Sequence, residues 1–243
     1  MQERTNEISL KNEKLEEVNR VKDKLFSVVS HDIRAPLTSL QSVLNLVKVK
    51  RLDAEEFKEV AEELARQLGK TSEFTSNLLQ WAKLQLKGEH FETEILNMNQ
   101  LVSKAMELIE PDIRGKNLSI RNEVESNARV EADENMIMTV VRNLLGNAIK
   151  FTSANGVITI SSKSDLHSVT ISVTDTGVGI AQEHLKTLFT LSSITTLVTQ
   201  QEKGTGLGLM LCKEYIEKNR GRIWVESEEN QGTTFYFSLP KAQ

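Results

Sequence analysis

Apolar positions in the first third of the chain recur at helical spacing. Ile8, Leu15, Val18, Leu25 and Val29 follow at intervals of seven, three, seven and four, with charged residues between them. That is a coiled-coil seam on a solvated helix. The pattern runs on through Leu37, Leu40, Leu44 and Val47. Arg51-Leu52-Asp53 then reads as a turn, with Asp53 placed to cap a second helix. The stripe of that helix is Phe57, Val60, Leu64, Leu68, Leu78 and Ala82. Two antiparallel helices sharing one seam bury too little for a core, whereas pairing with a second copy into a four-helix bundle covers both seams. Residues 1–88 are therefore predicted to form a coiled coil and a dimerising helical hairpin.

Lys87-Gly88-Glu89 marks a boundary, and residues 89–243 show mixed periodicity. Asn99 to Ile113 reads as a helix with Asn99 as its cap. Asp133 to Ile149 reads as another, capped by Asp133 with Glu134 in its first turn. Alternation at Val157–Ser161, Val169–Val173, Arg222–Glu226 and Thr233–Ser238 predicts strands. Asn155-Gly156 is a tight-turn signal. A third helix follows Gly206, through Tyr215 to Lys218. The expected architecture is α + α/β: the hairpin, then a layer of helices on a mixed sheet.

Composition narrows the function classes. Hydrophobic residues make up 39% and charged residues 26% of the 243, as in a soluble globular protein. A formal net charge of −4 offers no electrostatic case for nucleic acid or an anionic membrane. Cys212 is the lone cysteine, which excludes an internal disulfide framework and a multi-cysteine metal site and suits a reducing compartment. No apolar run approaches a membrane span and no signal peptide is visible. Helix is already under way at residue 1, which reads as a piece of a longer protein.

Four segments carry candidate chemistry. In Phe26-Ser-Val-Val-Ser-His31-Asp32-Ile-Arg-Ala35-Pro36, an imidazole adjoins a carboxylate inside a helical pattern that Pro36 would bend. Such a histidine can act as a nucleophile toward phosphorus, although a helical histidine is as readily a surface or core residue. Asn143 and Asn147 share a helix face, with Lys150 nearly one turn on. Two amide oxygens and an ammonium could hold Mg²⁺ and phosphate; a polar helix face is the plain alternative. Asp175-Thr-Gly177-Val-Gly179-Ile180 follows a strand and lets the backbone approach a ligand; an ordinary strand-to-helix turn has the same look. Gly204-Thr205-Gly206-Leu207-Gly208-Leu209 opens a helix, whose free N–H groups can bind an anion. It does not follow the first strand of a βαβ unit, so it is not a dinucleotide fingerprint, and no GxxxxGK[ST] loop is present.

These segments, in this order, resemble the bacterial-type sensor histidine kinases over nearly the whole chain. Phe26 to Thr38 is similar to the phosphoacceptor box, Asn143 to Phe151 to the asparagine box, and Asp175 to Ile180 and Gly204 to Leu209 to the two glycine boxes. Gly232-Thr233-Thr-Phe235 is similar to the closing strand. The resemblance implies a dimeric hairpin, residues 1–88, joined to an ATP-binding GHKL-type α/β sandwich, residues 89–243. It implies His31 as phosphoacceptor and Asp32 as its proton acceptor. Asn147, with Asn143, would hold Mg²⁺. Lys150 would touch phosphate, Phe151 would lie near the adenine, and Asp175 would bind the adenine amine. Gly177, Gly179, Ile180, Gly204, Thr205, Gly206, Leu207, Gly208 and Thr233 would line the ATP site, and residues 185–203 would cover it, with Phe189 as a latch. The implied partners are a second copy and the receiver domain of a response regulator, and the implied location is cytoplasmic, with any inner-membrane anchor in a further N-terminal part. The chain departs from the family at Ala35, where members with phosphatase activity usually carry Thr or Asn. A related ATPase that only hydrolyses ATP and a silent dimerisation scaffold remain the rival readings.

His90, His167 and His184 lack metal-ligand spacing and read as surface or loop residues. Trp81 and Trp224 read as packing residues, and Cys212 as a small buried hydrophobe.

Overall fold

The computed structural model describes residues 38, 41, 42, 44, 45, 54–85, 92–190 and 207–242. His31, Asp32, Ala35, Pro36, the Ile8–Val29 seam, Leu37, Leu40, Val47, the turn at Arg51–Asp53, the boundary at 87–89, His90, and Gly204, Thr205 and Gly206 lie outside them. Packing divides the chain into Met1–Gln80 and Trp81–Gln243.

In the first unit the described residues between 38 and 45 are helical, with the Ser42 hydroxyl donating to the Thr38 carbonyl at 3.0 Å. Helix α1 spans Ala54–Gln85, with Glu55 and Glu56 in its first turn, where acids favour the positive end of the helix dipole. Among its described side chains none is fully buried. Phe57, Leu68 and Leu79 are each more than half exposed, so much of its apolar surface is uncovered within its own unit.

The second unit begins with strand β1, Glu94–Asn97, which pairs antiparallel with β3, Arg129–Ala132. Helix α2 covers Met98–Leu108 and the short α3 covers Glu110–Gly115. The sequence pattern predicts one continuous helix from Asn99 to Ile113, and two features correct it. The cap is Asn97, whose side chain accepts from the Gln100 N–H; Asn99 instead donates its amide to the Val124 carbonyl at 2.6 Å. The run then breaks at Ile109, which leaves helical geometry at φ −109° and ψ 8°, and Pro111, with no N–H to give the Glu107 carbonyl, sits in the first turn of the next helix. Helix α4, Glu134–Phe151, has the expected cap: the Asp133 carboxylate accepts from the Met136 N–H at 3.0 Å. The short α5 is Gln182–Leu185, and α6 is Leu207–Lys218.

The main sheet contains β2 (Ser119–Glu123), β4 (Val157–Ser164), β5 (Ser168–Asp175), β7 (Gly232–Pro240) and β6 (Arg222–Glu228), in that order. β2 runs parallel to β4 and every other pair is antiparallel. This is the expected mixed sheet with helices α2, α4 and α6 packed on it. Ile158, Ile160, Val169, Ile171, Val173, Phe235, Phe237 and Leu239 face the helices and are buried, meeting Leu144, Leu145, Leu211 and Ile216 in the core. The opposite face is polar: Ser161 meets Ser172 at 2.7 Å and Thr234 donates to Thr174 at 3.1 Å. Trp224 belongs to that outer face, half-buried and stacked on Tyr236 with ring centroids 5.2 Å apart, rather than to the core.

Asn219 locks the two long helices. Its buried carboxamide accepts from the Asp133 N–H at 2.8 Å and donates to the Tyr215 carbonyl at 2.8 Å. Cys212 is fully buried, and burial pushes its thiol well up. His167 is exposed and His184 half-exposed. Among the described residues no group of His, Cys, Asp and Glu could hold a metal ion, and no helix is long and apolar enough to cross a membrane.

Candidate functional site

The two-residue period of β5 places Asp175 on the side of Val169, Ile171 and Val173, so an acid is the last inward residue of the strand. It is 4% exposed and lies opposite Thr233 of β7 in the sheet register. Its carboxylate accepts from the Gly177 N–H at 2.8 Å, and the Thr233 N–H stands near enough to favour the charged form. Burial raises its pKa above the ordinary carboxyl value, and these two N–H groups pull the other way. A carboxylate so paired keeps lone pairs for one further donor.

The loop after Asp175 needs glycine twice. A Cβ at Gly177 would sit 2.4 Å from the Phe151 carbonyl oxygen and 2.7 Å from Asp175 Oδ1. Gly179 has a φ of +69°, and a Cβ there would lie 2.0 Å from the Glu228 carbonyl oxygen. The Val178 N–H donates to the Phe151 carbonyl at 3.3 Å, which ties the loop to the end of α4. From the other side, the Asn230 N–H donates to the Val178 carbonyl at 2.7 Å.

Helix α4 presents Asn143, Asn147 and Lys150 half-buried beside the fully buried Leu144 and Leu145. Asn143 Nδ2 donates to the Thr139 carbonyl at 3.0 Å, and its Oδ1 lies against Gly208 of α6, 2.6 Å from where a Cβ would stand. The sequence-distant asparagine box and the start of α6 therefore touch. The Asn147 carboxamide has no hydrogen-bond partner among the described residues. Lys150 Nζ stands 4.9 Å from the centroid of the Phe151 ring, itself 41% exposed. Phe189 packs edge-on to Phe235, with centroids 6.4 Å apart. Leu207 opens α6.

Two residues that sequence reasoning missed hold this arrangement. Lys116 Nζ donates to the carbonyls of Ile149, Lys150 and Thr152 at 3.0, 2.8 and 3.4 Å, closing the C-terminal end of α4. Ser227 Oγ accepts from the Ile180 N–H at 2.8 Å. A lysine in a turn has no periodic signature; Ser227, at the end of an alternating strand, shows at most a polar break before a turn.

Two protein families match successive parts of the chain. The His Kinase A (phospho-acceptor) domain family matches residues 21–87. The family of histidine kinase-, DNA gyrase B- and HSP90-like ATPases matches residues 132–243. The adaptive-response sensory kinase SasA of Synechocystis sp. is 32% identical over 95% of this chain and 63% of its own length. Sporulation kinase A of Bacillus subtilis is 32% identical over 98% of this chain and 37% of its own. The chain thus spans less than two thirds of these curated relatives. The catalytic domain of histidine kinase ThkA is 36% identical, with a TM-score of 0.54, over 63% of this chain and 99% of that domain. ThkA in complex with the response regulator protein TrrA gives a TM-score of 0.73 at 29% identity, over 90% of this chain and 61% of that one. On motif order, GHKL-type sheet and these matches, the chain belongs to the sensor histidine kinases of two-component systems.

Proposed function

We propose that the chain is an ATP-dependent protein histidine kinase that phosphorylates itself on His31 and passes the phosphoryl group to an aspartate in the receiver domain of a response regulator. The observation that carries this reading is the buried Asp175 carboxylate beside the Gly177–Gly179 loop. It offers an acceptor for an exocyclic amine at the end of β5, where Gly177 and Gly179 let the loop close against the Phe151 and Glu228 carbonyls beside it. ThkA, a relative, is known in complex with a response regulator.

ATP is the phosphoryl donor in this reading. Asp175 accepts from the adenine amine, Gly177, Gly179, Ile180 and Thr233 shape the adenine end, and Phe151 covers it. Lys150 meets phosphate, and the first turn of α6, from Leu207 and Gly208, offers N–H groups to it, with Gly204, Thr205 and Gly206 just before it in the sequence. The asparagines fit Mg²⁺: carboxamide oxygens are hard neutral donors, Asn147 has no hydrogen-bond partner among the described residues, and Asn143 is oriented by Thr139. Mg²⁺ held by Asn147 and Asn143 would offset charge on the triphosphate. His31 gives a ring-nitrogen lone pair to the γ-phosphorus. The bond from that phosphorus to the bridging oxygen breaks, ADP takes the electron pair, and Asp32 accepts the proton from the other ring nitrogen.

The exposed Phe57, Leu68 and Leu79 of α1 support a dimer through residues 1–88, with 89–243 as a separable catalytic domain. Light scattering is expected to give a dimer for the whole chain and a monomer for residues 89–243. Incubation with γ-labelled ATP tests the activity. The wild type should carry acid-labile, alkali-stable label that moves to a receiver domain, and His31→Gln should bind nucleotide but carry none. Free phosphate without label would make the chain an ATPase, and neither product would make it a scaffold.

A further inference from the structure

The glycine loop is held from outside, and the holder is a serine 47 residues away. The Ile180 N–H donates to Ser227 Oγ at 2.8 Å. The same hydroxyl is 2.9 Å from the Gly232 carbonyl and 2.9 Å from Thr233 Oγ1. A hydroxyl has one proton and two lone pairs. Donation to Gly232, with acceptance from Ile180 and from the Thr233 hydroxyl, uses all three. Thr233 in turn stands opposite Asp175 in the β5–β7 register, and its N–H favours the charged form of that carboxylate. One hydroxyl therefore joins the end of the glycine loop to the strand that orients the buried acid.

We propose that Ser227 is a positioning residue for the nucleotide: its hydroxyl keeps the Gly177–Ile180 loop and the Asp175 carboxylate in a single relative geometry. The proposal rests on the reading of this site as the ATP site. Ser227 makes no described contact with Asn143, Asn147 or Lys150, so it acts on the adenine end and leaves the phosphate end alone. Its loss should then raise KM for ATP without lowering the labelling rate at saturating ATP.

The test uses the whole chain with Ser227→Ala, Ser227→Thr and Ser227→Val, titrated with ATP and with adenosine well below the melting temperature. Losing one hydrogen bond from the network should weaken both ligands by the same factor, about 3- to 10-fold. Threonine, which restores the hydroxyl, should bind as the wild type does, and valine, of the same shape without the hydroxyl, should bind as alanine does. The threonine–valine pair also decides the matter if the alanine variant folds poorly. The Ile180 amide should exchange faster in alanine and valine variants, while the amides of β5 and β7 keep their protection. A merely structural serine would lower the melting temperature and leave the affinity of the folded protein unchanged. Equal affinities for the threonine and valine variants would overturn the proposal, as would an Ile180 amide indifferent to the hydroxyl. A wild type that binds no ATP would overturn the ATP reading itself and the proposal with it.

Discussion

Asp175→Asn is expected to move stability and binding in different ways. The carboxyl is 4% exposed, and burial outweighs the Gly177 and Thr233 N–H groups in raising its pKa above 3.8. The folded chain thus holds that proton more tightly than the unfolded chain does. Asp175 therefore favours folding below pH 3.8, and that contribution disappears as pH rises through the raised folded value. Asparagine does not titrate, so the stability of the wild type relative to the variant should fall as pH climbs through this window and then level off. Binding responds to a different term. A charge-assisted hydrogen bond to the adenine amine is worth about 1.5–3 kcal/mol, so the variant should bind ATP about 10- to 150-fold more weakly. Urea unfolding of both proteins from acid to neutral pH, followed by circular dichroism, reads the first effect. Calorimetric titration with ATP at neutral pH reads the second. A stability difference independent of pH would refute the burial argument, and equal ATP affinities would show that the carboxylate does not read adenine.

Lys116→Met strands three carbonyls at the negative end of α4 and should cost about 1–2 kcal/mol, seen as a melting temperature about 2–8 °C lower; an unchanged denaturation midpoint would refute the capping role. Gly208→Ala puts a methyl group 2.6 Å from Asn143 Oδ1, the end of a side chain that can swing away. The gain in helix propensity, roughly 1 kcal/mol, offsets the lost Asn143–Thr139 bond of about 1 kcal/mol, so the melting curve should hardly move while ATP-dependent labelling drops. Retained labelling would show that the placement of Asn143 does not matter. Ala35 offers neither donor nor acceptor to a hydrolytic water, so a phosphorylated receiver domain should decay little faster with the wild type than alone, and Ala35→Thr should accelerate it. Rapid decay with a His31→Ala, Ala35 protein would show that another group holds the water.

Local rules were enough wherever one element is governed by its own residues. Asp133 caps α4 through a bond three residues long, and alternation along β4, β5 and β7 sorts core from surface, with Asp175 on the core side. The order of the asparagine and glycine boxes marks the family before any coordinate is known. Rules of this kind fail where elements are short or borrow their stability. β1 and β3 are four residues each and persist by pairing with one another, while β2 turns Asn122 toward α2, where it donates to Ser103 Oγ at 3.0 Å. At the start of α2 the sequence points to Asn99 as the cap, and only the approach of Val124 assigns Asn99 elsewhere and leaves the cap to Asn97. The tertiary structure alone decided what holds the site together. Lys116 reaches carbonyls 33 to 36 residues away, Ser227 reaches the Ile180 N–H across 47, and Asn219 reaches Asp133 across 86. Each is one side chain bonded to a main-chain group that the fold carries to it, and a bond of that kind imposes neither a period nor a spacing on the sequence.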